Sequence, residues 1–296
     1  MNGIIWKKKN STGTLFTREE NGVYYLGFKA LAKTGLVKHG FSTRLGGVSE
    51  GCYSTMNLSF TTGDKKENVE ENLRRMGDAL GTMPSGITAP YQAHTVNVRR
   101  VGERDKGKGI TREKDPEETD GLMTDVPGLM LVTGHADCLP LYIVDTERRA
   151  IALSHSGWKG TAHRIGQMTL LAMKKEFGTQ PENVIVGIGP GICEECYEVG
   201  ENVAVEVRMN FNKESWHEIL IQKKEFHKGS LDHNAEGHKY MMDLSRANEI
   251  IFEEAGVKKE NIHTADICTM CNSDLLFSHR KMGKKRGGQA AFLCLE

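Results

Sequence analysis

The sequence predicts an α+β fold built on mixed sheets. Three observations point there. Strand-like runs outnumber helical ones, the two kinds do not alternate regularly, and several runs are short continuous apolar blocks suited to strands buried on both faces. In chain order the strand-like runs are Val23–Phe28, Val37–Thr43, Ile87–Gln92, Thr95–Val101, Leu129–Thr133, Leu141–Val144, Ala150–Ser154, Asn183–Ile188, Ile262–Ala265 and Gln289–Cys294.

Helical patterning covers Lys65–Leu80, Thr161–Phe177, Val199–Phe211 and Asp243–Ala255. Asp64 with Glu67 three residues on predicts a capping box for the first. Gly178 and Gly256 stand just past the second and fourth, where left-handed C-caps belong. Ile165, Met168 and Ala172 predict an apolar stripe facing the core. The polar stretches Gly102–Thr119 and Lys223–Lys239 read as a mobile loop or hairpin tip and a surface excursion. Neither marks a domain boundary, and there is no internal repeat or low-complexity linker.

The chain has 296 residues, 38% hydrophobic and 26% charged, an ordinary globular balance. Lys+Arg 39 equals Asp+Glu 39, so no long-range field favours nucleic acid. No stretch approaches the roughly 20 apolar residues of a membrane span. The N-terminus carries its charges after a very short apolar run, unlike a signal peptide. Seven Cys, an odd count, predict reduced thiols and a cytoplasmic location. The expected partners are small molecules, with no nucleic acid and no membrane; the oligomeric state is left open.

Three residues carry the chemistry. His94, Cys138 and His155 each follow a strand-like run, and strand ends deliver side chains to a shared cleft. Two imidazoles and a thiolate suit zinc or copper, and three protein ligands leave a fourth position open, the mark of a catalytic metal. Other motifs fail on their details. Gly102-x4-Gly107-Lys108 continues with Gly109, so it lacks the P-loop hydroxyl. Gly187-Ile-Gly189-Pro190-Gly191 ends on Ile192 where a dinucleotide fingerprint needs glycine; here the glycines predict a sharp turn and close approach to a ligand. Cys193-x-x-Cys196 and Cys268-x-x-Cys271 are 72 residues apart, against about 15–20 in a zinc ribbon, so they read as buried free thiols near the cleft, with a structural zinc as the alternative. Lys281–Arg286 reads as a solvated basic face.

Gln92-Ala-His94, His135-Ala-Asp137-Cys138-Leu-Pro140 and His155-Ser-Gly157-Trp158-Lys-Gly160 lie among further blocks, Phe41–Ser49, Ile188–Gly200, Asp243–Asn248 and Cys268–Arg280. Together these resemble the YfiH-like family, whose members carry laccase-domain or polyphenol oxidase labels and are regarded as multifunctional purine nucleoside phosphorylases. The resemblance runs from about His39 to Arg280. It implies a single domain over 1–296, with 1–36 a more variable segment, and sheets stacked between helical layers, α/β/β/α. Two positions depart from the family pattern. Lys159 stands where arginine is commoner and so lacks the bidentate fork; His135 stands where threonine is commoner.

The resulting expectation is a zinc enzyme, copper being the alternative metal, that phosphorolyses adenosine, inosine and methylthioadenosine and deaminates adenosine. His94, Cys138 and His155 are the expected metal ligands. Asp137, Cys138 and His155 are the catalytic candidates. Ser42, Arg44, His135 and Lys159 are the substrate-binding candidates, Arg44 as the phosphate contact. The rivals are a copper polyphenol oxidase, a peptidoglycan-precursor-editing hydrolase, a Cys138–His155 hydrolase without metal and a metal-binding interaction module. Eleven His without an H-x-H pair argue against a multicopper oxidase.

Overall fold

The computed structural model describes residues 4–9, 13–222 and 238–296. One six-stranded sheet has the spatial order Leu15–Glu20, Val23–Phe28, Val37–Ser42, Gln289–Leu295, Met130–His135, Ile87–Thr88. A second runs Ile262–Thr264, Val184–Ile188, Leu139–Asp145, Ala150–Ser156, Gly121–Thr124, Val98–Arg100. Glu198–Gly200, Lys239–Met242 and Leu220–Gln222 make a small third sheet. Most of the predicted strands are present, and Leu139–Asp145, Ala150–Ser156 and Gln289–Leu295 are buried at every residue, as their continuous apolar runs require.

The period-two alternation of these strands builds the layers. Leu26, Phe28, Phe41, Leu131 and Leu293 of the first sheet meet Leu122, Tyr142, Val144, Ile151 and Leu153 of the second in a shared core. Tyr25, Met130, Val132 and Phe292 point the other way, onto Val69, Leu73, Met76 and Leu80 of the helix Lys66–Leu80. Leu141, Ile143, Val186 and Ile188 cover the far face of the second sheet with Ile165, Leu170 and Met173, and with Leu244, Ala247 and Ile251 of Leu244–Glu254. The order is therefore α/β/β/α. Burial of each such side chain contributes about 1.5–3 kcal/mol.

Several local expectations change. The run Ile87–Gln92 keeps strand geometry only at Ile87–Thr88; Pro90 has no N–H to continue a ladder. Instead the Gln92 side chain pairs with the backbone of Gly134 in both directions. Helix Thr161–Phe177 is two helices, Trp158–Ala162 and Ile165–Phe177, broken where Arg164 takes φ 63°. Its buried face uses Ile165, Thr169, Leu170 and Met173, while Met168 is 41% exposed. Asp64 does not cap its helix; Lys65 is the N-cap, and the Asp64 carboxylate accepts from Ser49, Asn57 and the Lys65 N–H. Gly178 and Gly256 do take positive φ at their helix ends.

Leu15–Glu20 and Gly121–Thr124 are strands that the sequence reading missed. The stretch Gly102–Thr119 is pinned rather than loose, with Lys108 bridging Asp105 and Asp115, and Arg99 paired with Asp115. The excursion Lys223–Lys239 lies mostly outside the described residues.

Candidate metal centre and cleft

The chain passes from one sheet to the other between His135 and Leu139, and Cys138 sits on that crossing. Asp137 makes the corner with φ 87°, a region few side chains adopt and one that marks functional sites. Paired with the strand that begins at Leu139 is Ala150–Ser156, which carries His155 within it rather than after it. His94 comes from the connection between Ile87–Thr88 and Val98–Arg100, itself at φ 60°. The rule that all three follow strand ends thus holds loosely. What unites them is the crossing between the sheets.

The ligand atoms of His94, Cys138 and His155 all lie within 4.8 Å of one another. Gly157 keeps the space between them open. A Cβ there would stand 2.9 Å from both Cys138 Sγ and His94 Nδ1. Two imidazoles and a cysteine sulfur around a space that a methyl group would fill fit a borderline metal ion.

Asp120 was not foreseen. It is fully buried, and its Oδ1 lies 2.8 Å from His155 Nδ1. Oδ2 accepts from the Ala93 and Thr95 N–H groups on either side of His94. Burial alone would raise the Asp120 pKa, but the His155 hydrogen bond, followed by those of Thr95 and Ala93, brings it down to about 2. One carboxylate therefore orients both histidines. Burial works against the His155 cation, yet Cys138 and then Asp120 raise its pKa to about 9. Burial and His155 lower that of His94. Only membership of a buried turn before the unrecognised strand Gly121–Thr124 could have revealed Asp120. We expect Asp120→Asn to lower metal affinity about 10–100-fold while leaving the fold intact, as loss of a partner behind a ligating His does elsewhere; unchanged metal titration of that variant would refute this role.

His94, Cys138 and His155 open onto a cleft of about 910 Å³ whose walls include Tyr91, Ile110, Trp158, Tyr197, Arg280 and Arg286. The substrate-binding candidates separate here. Arg44 is not on these walls; its guanidinium donates to the carbonyls of Ser54 and Ser273 and lies 4.6 Å from the Phe277 ring centroid, tying two loops together. Ser42 is fully buried and accepts the Ala290 N–H between neighbouring strands. His135 borders the cleft, but both ring nitrogens are engaged, by Thr133 Oγ1 and the Cys138 carbonyl, so it supports the Cys138 corner. Lys159 lies over the Trp158 ring, 5.6 Å from its centroid, and is not among the cleft walls.

Asp137 lines the cleft, but its oxygens accept from Thr269 Oγ1 and the Arg280 N–H, each at 2.6 Å. These bonds engage both of its carboxylate oxygens. Arg286, expected on a solvated face, instead borders the cleft, and burial lowers its pKa. The glycines of Gly187–Gly191 serve close approach to protein rather than ligand. A Cβ at Gly189 would meet Pro140, and one at Gly191 would meet Leu139 and the Asp137 carbonyl.

The sequence model of a family described as multi-copper polyphenol oxidoreductase laccase matches residues 38–296. A purine nucleoside phosphorylase of Bacteroides thetaiotaomicron is 34% identical over 265 residues, 88% of this chain and 93% of that one. An adenosine deaminase from an unknown prokaryotic organism is 29% identical, over 83% of this chain and 90% of its own. Among solved structures, YlmD from Geobacillus stearothermophilus superposes with a TM-score of 0.83 at 28% identity, covering 95% of this chain and 98% of that one. YfiH from Bacillus licheniformis gives 0.84, also at 28%, covering 95% and 99%. The fold superposes on both structures and the family model matches most of the sequence, so the chain belongs to the YfiH-like, laccase-domain family.

Proposed function

We propose that this chain is a zinc-dependent purine nucleoside enzyme of the cytoplasm, phosphorolysing adenosine, inosine and methylthioadenosine and deaminating adenosine. The observation that carries this reading is a ligand set with two His and one Cys on the wall of a cleft large enough for a nucleoside. Relatives named for each of the two activities support pairing them in one cleft. No helix among the described residues is long and apolar enough to cross a membrane.

When bound, zinc supplies the Lewis acidity that makes water reactive near neutral pH. The chain's own residues do the rest. Asp120 accepts the Nδ1 proton of His155, so that ring presents Nε2 to the site. Burial keeps the Tyr197 phenol protonated, and Tyr197 stands on the cleft wall where it can donate to a departing purine or amine. Arg286, on the cleft wall with Lys66, Arg112 and Lys114, is assigned to hold phosphate. Its Nε and Nη1 donate to His279 Nδ1 and the Gly287 carbonyl, while the Arg280 guanidinium donates to the Glu198 carbonyl and lies over the Tyr197 ring. Incubating metal-defined protein with adenosine tests this. Inosine should form without phosphate, and adenine with ribose 1-phosphate when phosphate is added. Failure of both conversions would refute the proposal.

The two arginines give a sharper comparison. Arg286→Ala should slow phosphorolysis by about ten- to a hundredfold, the worth of a charge-assisted contact, and deamination much less. Arg44→Ala should lower both rates together through stability. Parallel losses in the Arg286 variant would remove it as the phosphate contact.

A second reading rests on a specific arrangement. Cys138, His155 and Asp120 follow one another as nucleophile, base and orienting carboxylate, the order of a cysteine hydrolase such as a peptidoglycan-precursor editor. That enzyme would work in chelator. A laccase-type oxidase needs several copper centres, whereas among the described residues only one candidate ligand cluster contains histidine.

A further inference from the structure

Outside the cleft, the most chemically loaded cluster consists of the two CxxC pairs. We propose that Cys193, Cys196, Cys268 and Cys271 form a second metal site, structural in kind, that takes a thiophilic divalent cation, zinc in the cell. This goes beyond the catalytic reading and does not depend on it.

The four sulfurs lie within 4.8 Å of one another. Cys196 Sγ and Cys271 Sγ are 3.5 Å apart. Zinc–sulfur bonds of about 2.3 Å in a tetrahedron separate the sulfurs by about 3.8 Å, so the cluster needs only small adjustments to close on an ion. None of the four is in a disulfide. Cys268 Sγ accepts the N–H groups of Cys193 and Cys271, at 3.3 and 3.4 Å. Amide donors of this kind stabilise a thiolate, the form that ligates.

The separation of 72 residues that argues against a zinc ribbon is bridged by the sheet. Val184–Ile188 and Ile262–Thr264 are parallel neighbours. Their continuations run side by side as far as the Gly191–Cys268 bridge, which places one CxxC turn beside the other. The chain between them leaves to build the helices Glu201–Asn210 and Leu244–Glu254 and then returns.

Such a clip would brace the catalytic corner from behind. Thr269, between the ligands Cys268 and Cys271, donates its N–H to the Gly191 carbonyl and its hydroxyl to Asp137. Ile192, next to Cys193, donates to the Asp137 carbonyl. Tyr197, next to Cys196, stands on the cleft wall. The metal would hold these three residues, and through them Cys138, in fixed register.

The test is metal analysis of the full chain purified under reducing conditions from zinc-supplied cells. Wild type should carry two zinc ions, and Cys138→Ala should keep one. A Cys196→Ser/Cys271→Ser double variant should also keep one, the catalytic ion. If that variant does not fold, thiol alkylation of Cys138→Ala replaces it. Cys193, Cys196, Cys268 and Cys271 should resist alkylation until chelator strips the zinc. Zinc-free Cys138→Ala, or these four thiols alkylating at once in it or joined as disulfides, would overturn the site; the exposed Cys52 lies outside the cluster and reacts in either case. Because the readout is metal content, it stands or falls separately from adenosine turnover.

Discussion

Replacing Cys138 by alanine should remove one zinc per chain and lower turnover of adenosine by more than about a hundredfold. Loss of a partner behind a ligand already costs about 10–100-fold in affinity or activity. Cys138 supplies the only sulfur of its set, so its removal leaves two imidazoles, one of them already drawn toward Asp120. Inductively coupled plasma mass spectrometry and product chromatography check both halves of the expectation. A cysteine nucleophile would also be lost in this variant, so the decisive companion is the wild type stripped by chelator. Full turnover by metal-free protein, with inactivation by thiol alkylation, would hand the chemistry to the Cys138–His155–Asp120 hydrolase.

Gly157→Ala should damage the metal centre nearly as much, with little harm to the fold. Gly157 has φ −82° and ψ −177°, extended backbone that alanine adopts without strain. Its added methyl would lie 2.9 Å from the Cys138 sulfur and from His94 Nδ1, in the space a metal must occupy. Neither neighbour can retreat freely. Cys138 is fixed at the crossing whose carbonyl meets His135, and the N–H groups flanking His94 are bound by Asp120. We expect zinc affinity to fall by at least about tenfold, with a stability change of no more than about 1–3 kcal/mol. Wild-type zinc binding by this variant, measured by competition with a chromogenic chelator, would show that the three side chains do not enclose an ion.

The site residues divide by how locally their roles are set. His94, Cys138 and His155 were legible because their residue types are rare, their chemistry is shared and each is close to a strand. Asp120 was not, because an aspartate before an unrecognised strand looks like any turn carboxylate; only burial against His155 makes it an orienting group. Arg44 misled for the converse reason. A strand-end arginine beside glycines suits phosphate, yet the loop containing Ser54 and the turn at Ser273 supply carbonyls that occupy it first. The basic run ending at Arg286 looked solvated because spacing does not reveal which member folds inward to line the cleft.

By itself the sequence determined the α+β class, most of the strands, the helix ends at Gly178 and Gly256, and the three residues that meet as a candidate metal site. These rest on short-range physics: alternation in a strand, positive φ after a helix, and the donor atoms a residue carries. Tertiary structure decided which sheet each strand joined, which carboxylate met His155, which arginines reached the cleft, and that two distant CxxC turns would meet. Those outcomes depend on contacts between segments tens to hundreds of residues apart. Thr269 against Asp137 and Ser273 against Arg44 exist only once both sheets have closed on their shared core.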